Sequence, residues 1–179
     1  MIISVIGVQT TVPFKRELAS LIKKEFGWKA CFPQPIPFSV GTLDEKRHQY
    51  NAKKLLEELH AYVPAFACAG SKKVLWITDK DIFVDLMSFV FGLSELHNRD
   101  GILSIARLRE EYYGRKEDKA LYKKRFLCES LHEIGHLFGL GHCRNDCVMR
   151  FSNNIEEVDL KAMAFCDACI AKLNALEKE

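Results

Sequence analysis

Residues 132–142 of this 179-residue chain read His-Glu-Ile-Gly-His-Leu-Phe-Gly-Leu-Gly-His, three imidazoles and one carboxylate in a single short run. On a helix, the four-residue spacing of His132 and His136 puts both rings on one face, one turn apart, where they can converge on one ion. His142 cannot join them from the same helix, because six further residues add roughly 9 Å of rise and point nearly the opposite way. Zn–N bonds are only about 2.1 Å long, so the chain must leave the helix and double back. Gly139 and Gly141 are expected to permit that turn, since glycine enters left-handed conformations at little steric cost and commonly ends helices. Glu133 lies beside the metal-facing side without pointing at the ion, the place for a general base toward a water at the open coordination position. A structural zinc site, closed by four protein ligands, has no need of such a carboxylate.

Four of the seven cysteines follow immediately. Cys143-x3-Cys147 and Cys166-x2-Cys169 have the paired spacing of a four-thiolate zinc site. The rival reading, two disulfides, is weakened by an odd cysteine count and an N-terminus without a basic start or cleavage site. Cys31, Cys68 and Cys128 then read as buried thiols behaving as small apolar residues. Because His142 and Cys143 are neighbours, a zinc ion among the cysteines would also fix the backbone that presents the third histidine. Met149, taken alone, is ordinary packing.

The joined pattern, H-E-x-x-H-x-x-G-x-x-H followed by Cys143, Cys147, Met149 and the Cys166–Cys169 pair, resembles the archaemetzincin family of metzincin zinc metallopeptidases. The likeness is strongest over 132–169, with Gln49-Tyr50-Asn51 as softer support upstream. One departure is the first cysteine pair, separated here by three residues where the family has four. The resemblance implies a metzincin-like α/β fold, with the active-site cleft beneath the edge strand of a mixed sheet. It implies peptide-bond hydrolysis with a catalytic zinc on His132, His136 and His142, a structural zinc on Cys143, Cys147, Cys166 and Cys169, and Glu133 as the catalytic residue. It also implies that Met149 forms a hydrophobic floor under the ligands. Phe151 stands where some metzincins carry a tyrosine and cannot donate a hydrogen bond, which leaves stabilisation of the oxyanion mainly to zinc.

Composition bounds the rest. The length suits one domain over residues 1–179. The 26 basic and 24 acidic residues nearly cancel, which disfavours nucleic acid as a partner. No apolar run approaches the ~18 residues of a membrane span. Asp85 interrupts the nearest one, residues 82–93. A monomeric cytoplasmic protein acting on peptides or proteins is the expectation, with a zinc-stabilised binding or regulatory module as the alternative.

Hydrophobic periodicity supplies the elements that must hold these residues. Residues 2–8 read as a buried strand; a helix opens at Thr11 and Pro13 and closes at Gly27; a second strand covers 28–32. The alternating prolines of 33–37 demand an extended loop. Thr42 and Glu45 have the form of a capping box opening a long helix, with Leu43, Tyr50, Leu55, Leu59, Tyr62 and Phe66 on its core face. Residues 73–78 are the clearest central strand, and 87–93 and 101–107 read as two more, split by a turn at 98–101. A helix over 120–138 carries the histidines and a final helix over 156–176 carries Cys166 and Cys169. The order predicts a mixed sheet, largely parallel with an antiparallel edge strand, covered by helices.

Overall fold

The structure, a computed structural model, describes residues 1–37 and 42–176. Its elements are β1 (Ile2–Val8), α1 (Lys15–Phe26), β2 (Lys29–Cys31), β3 (Leu43–Asp44), β4 (Gln49–Asn51), α2 (Ala52–His60), α3 (Val63–Phe66), β5 (Ser71–Thr78), β6 (Ile82–Phe83), β7 (Gly92–Ser94), β8 (Asp100–Ser104), α4 (Lys119–Leu137), α5 (Ile155–Leu160) and α6 (Asp167–Leu176). The main sheet has the order β2-β1-β5-β8-β7. β1, β2, β5 and β8 run parallel, and β7 is antiparallel to β8 at the edge. This is the mixed α/β arrangement with an antiparallel edge strand that the order of elements implied.

The central strands explain themselves. β1 is an almost unbroken apolar run, and β5 becomes one from Val74 to Ile77, because both of their faces are covered there, as parallel strands between helices must be. Their side chains alternate between two cores. Ile3, Val5, Leu75 and Ile77 meet Leu18 and Ile22 of α1 and Phe126, Leu131 and Ile134 of α4. Val8, Val74, Trp76 and Ile102 meet Leu55 and Leu59 of α2 on the other side. From Arg125 to Leu137, α4 is buried all round, so it is the central helix of the molecule and not a surface one. Asp118 caps it by accepting from the Leu121 amide at 2.9 Å.

Four expectations fail locally. The first helix starts at Lys15, after Phe14 takes a left-handed conformation at φ 46°. Residues 42–51 form a β3–β4 hairpin in place of a helix. The Asp44 carboxylate accepts from the Lys46 and Arg47 amides and closes that turn. The helix then begins at Ala52, capped by Asn51, whose side chain accepts from the Lys53 and Lys54 amides. The final helix is broken: residues 161–166 are not helical, Ala164 gives its carbonyl to the Val148 amide at 2.9 Å, and Cys166 precedes α6. The fourth correction concerns Cys31 and Cys68, which form a disulfide with Cα atoms 6.5 Å apart instead of remaining separate thiols. Ser4 brings them together, pairing in register with Cys31 and accepting from the Cys68 amide at 2.9 Å. Cys128 is the buried free thiol that was expected, its pKa pushed up to about 12 by desolvation.

Two clasps tie the segment after the histidines back onto α4. Arg125, fully buried, forks onto both carboxylate oxygens of Asp159 at 2.7 Å each. Lys161, just past α5, donates to Glu129 at 2.7 Å.

Candidate metal centres and active site

The two helical histidines are held by backbone carbonyls. His132 Nδ1 lies 2.8 Å from the Val148 oxygen, and His136 Nδ1 lies 2.7 Å from the Leu140 oxygen. A carbonyl only accepts, so each Nδ1 carries the proton and each Nε2 presents a lone pair. Those two Nε2 atoms face each other at 3.1 Å. Two lone pairs at that distance repel unless a cation lies between them. Two nitrogens bonded tetrahedrally to one zinc at about 2.1 Å would stand roughly 3.4 Å apart. His142 completes the set, its ring centroid 5.4 Å from that of His132 and 4.9 Å from that of His136. The ligand atoms of all three lie within 4.8 Å of one another.

The return of His142 depends on how α4 ends. Gly139 adopts φ 94°, its amide donates to the His136 carbonyl, and the Leu140 amide reaches the Gly135 carbonyl. This left-handed glycine stop turns the chain back over the helix. Gly141, also expected to supply left-handed backbone, is not among the residues of positive φ, so Gly139 makes the turn by itself. Beneath the histidines the Met149 sulfur packs so closely on Gly135 that a Cβ there would collide with it. Met149 is completely buried. Phe151 packs edge-on against His142, with centroids 4.9 Å apart.

Burial sets the charge state. Desolvation drives the His132 pKa well below its ordinary value and takes His136 down to about 4. The Lys161 ammonium pushes in the same direction on all three rings, His142 included. Neutral imidazole is the form that binds metal, so at neutral pH these rings are ready as ligands. Glu133 is 4% exposed, and desolvation raises its carboxyl to about 8, with the Ser94 hydroxyl of β7 opposing the rise. Its Oε2 has no hydrogen-bond partner among the described residues. An orphaned buried carboxylate oxygen is costly unless something in the site completes it, and an adjacent dication with its water would do so.

β7 forms the roof. A Cβ on Gly92 would clash with the Glu133 carboxyl, so the absence of a side chain there lets the carboxylate lie directly under the edge strand. β8, which apart from Asp100 lies within the run 101–107 read as a strand, is interior, between β5 and β7. A cleft of about 840 Å³ runs along β7 past the three histidines and Glu133, walled by apolar residues including Val84, Met87, Phe89 and Leu93.

The four cysteines also converge, all Sγ atoms within 4.8 Å of one another and none bonded to another. Cys143 and Cys166 stand 3.7 Å apart, against about 3.8 Å for two sulfurs on a tetrahedral zinc at 2.3 Å. The Cys166 amide donates to the Cys147 sulfur at 3.3 Å, so the three-residue spacing brings Cys147 into the cluster. The Asn145 amide side chain, with neighbouring donors, holds the Cys166 thiol down at about 6, whereas burial pushes Cys147 and Cys169 up.

Sequence reasoning missed the parts of the site that lack a motif. The Val148 and Leu140 carbonyls are backbone, and Gly92 acts by having no side chain. Glu129 could have been found, since it lies four residues before Glu133 on the same helical face. Lys161, 32 residues away in sequence, carried no signal.

Comparisons with known proteins agree with this geometry. The profile of peptidase family M54 matches residues 34–175. The archaemetzincin of Methanocaldococcus jannaschii is 38% identical over 172 residues, covering 94% of this chain and 92% of that protein. The crystal structure of an archaemetzincin from Methanopyrus kandleri superposes with a TM-score of 0.85 at 29% identity, over 100% of this chain and 96% of that one. A zinc-dependent peptidase from Methanocorpusculum labreanum gives a TM-score of 0.84 at 30% identity, over 97% of this chain and all of that one.

Proposed function

The chain belongs to peptidase family M54 and is a zinc metallopeptidase of the archaemetzincin kind, and from that premise we propose how its residues divide the work. His132, His136 and His142 would hold a catalytic zinc, and Cys143, Cys147, Cys166 and Cys169 would hold a second, structural zinc. Residues 1–179 act as one domain and as a monomer. The observation that carries this reading is the pair of facing Nε2 atoms, whose tautomers the Val148 and Leu140 carbonyls fix.

When bound, zinc supplies the Lewis acidity that lowers the pKa of a water and polarises the scissile carbonyl. The other tasks fall to the chain. Substrate lies as an added strand on β7, whose outer edge has no neighbour in the sheet among the described residues, and takes main-chain hydrogen bonds from it. Glu133, fixed under Gly92 with Oε2 unpaired, accepts the proton of the attacking water and passes it to the departing amine. The apolar cleft wall excludes bulk water from that transfer. Met149 and Gly135 keep the floor under the histidines rigid.

The test is Glu133→Gln. It should keep both zinc ions, measured by metal analysis, and lower peptide turnover by about 10²-fold or more. Undiminished cleavage of a peptide library by the metal-loaded variant would remove Glu133 from the mechanism.

A further inference from the structure

The cleft beside the histidines has apolar walls and a charged floor. Lys161 and Glu129 sit there as an ion pair at 2.7 Å, their side chains only 1% and 3% exposed. Among the described residues that line the cleft, Lys161 is the sole lysine or arginine. A buried pair of this kind is weak evidence for stability, since apolar residues of the same volume often serve as well or better. What these two charges face is therefore the informative question.

Hydrogen-bond capacity answers it. A lysine ammonium has three donors. One goes to Glu129 Oε1, and no second acceptor lies within hydrogen-bond distance of Nζ among the described residues. Ser152, also on the cleft lining, has a buried hydroxyl without a partner among the described residues. Unmet donors at the floor of an apolar-walled cleft are costly if an apolar group covers them and favourable if an acceptor reaches them. A cationic group gains less, because Glu129 is already engaged and Lys161 repels the newcomer.

We propose that this cleft is a carboxylate-reading pocket, in which Lys161 receives an acidic group of the substrate flanking the scissile bond and Glu129 positions the lysine. The group is either the side chain of a glutamate or aspartate, or the terminal carboxylate of a chain that ends there. The proposal rests on the peptidase reading above, and its test separates the two.

The probes are peptides with a reduced, uncleavable bond, alanine except for glutamate, glutamine, leucine or lysine beside that bond, all with blocked ends. A fifth probe is neutral but ends in a free carboxylate. Equilibrium binding to the zinc-loaded protein should favour the glutamate or free-carboxylate probe over leucine and lysine by about tenfold or more, the size of one charge-assisted hydrogen bond. Which of the two gains identifies the source of the acid. Lys161→Met strands Glu129 as a buried unpaired charge and is expected to unfold, so the variant to use is Glu129→Gln with Lys161→Met, which removes both charges. That double variant should lose the preference while keeping its zinc. If it does not fold, the wild-type ranking decides alone. Equal affinity for all probes, a preference for leucine or lysine, no measurable binding, or a preference that survives in the double variant overturns the proposal. If the acidic probes bind best but their cleavable counterparts stay intact, the pocket stands and the peptidase reading falls.

Discussion

The Cys143 amide donates to the Met149 carbonyl at 2.9 Å, so the residue after the third histidine is hydrogen-bonded to the methionine beneath the other two. Through one bond the cysteine cluster, the histidine cluster and the floor share a piece of backbone. Cys166→Ser or Cys169→Ser should therefore weaken both sites. The expected result is fewer than two zinc ions per chain and a catalytic zinc that a chelator strips more readily, measured by competition titration. Loss of one equivalent with the remaining ion held as tightly as before would show that the two sites are independent.

How much of this was legible in the sequence depended on whether a feature was local. The histidine helix was readable nearly to the residue, because its apolar positions and histidine spacing are local: read as 120–138, α4 spans Lys119–Leu137. The cysteine cluster was readable because its four ligands come as two close pairs. The hairpin at 43–51 was not, because Thr42 and Glu45 imitate a capping box while the decisive bonds come from Asp44 to the turn amides. The break before α6 was hidden for another reason. Residues 161–166 leave the helix because the Val148 amide takes the Ala164 carbonyl, a contact made 16 residues away in the chain. The Cys31–Cys68 disulfide requires knowing that Ser4 lies between them. The Glu129–Lys161 pair likewise needs the third dimension.

The contact between Gly135 and Met149 predicts a non-additive pair. Gly135→Ala adds a Cβ where the sulfur already sits, and overpacking of this kind costs typically 1–3 kcal/mol. Met149→Ala empties a fully buried position and should cost about 2–5 kcal/mol. Together the two changes offset, since the new methyl occupies part of the space the methionine vacates. Denaturant unfolding of the two single variants and the double should give a double-variant loss smaller than the sum by about 1 kcal/mol or more. Simple additivity would mean that the helix moves away from the floor instead of pressing on it.

Asp81 ties Gln49 of β4, in the minor sheet β3-β4-β6, to Arg107 and Tyr112 beyond β8, and it predicts an acid-side stability loss. Burial works against its ionised form, but Arg107, bonded at 2.6 and 2.8 Å, together with Gln49 and Tyr112, outweighs burial and holds the carboxyl below its ordinary value. A carboxylate depressed in the folded state contributes stability that is fully present above the unfolded pKa, about 3.9. That contribution is lost as the pH falls through the folded value. Asp81→Asn should be less stable than wild type at pH 6–7, and the gap should narrow only below about pH 4. Thermal unfolding across pH 2.5–7 measures it. A gap of constant size through the acid range would mean that Asp81 acts by hydrogen bonding alone.

Gly92 gives the sharpest test of how the edge strand serves the chemistry. The residue makes no side-chain contact, yet any Cβ at its position runs into the Glu133 carboxyl, Cγ included. Glu133 is buried and packed between β7 and the histidine face, so it can make room only by turning its carboxylate away from its present place. Gly92→Ala should therefore lower kcat by about 10²-fold, as misplacement of a reacting group by about 1 Å does. Zinc content should stay at the wild-type level, because no metal-ligand nitrogen or sulfur is among the atoms the new methyl meets. KM should change far less than kcat, since the β7 backbone on which we propose that substrate pairs is left unchanged. Gly92→Ser should behave like the alanine variant or worse. An alanine variant with wild-type kcat would show that Glu133 finds its working position without the gap that Gly92 leaves, and a variant that loses zinc in parallel with kcat would place the damage at the metal and not at the base.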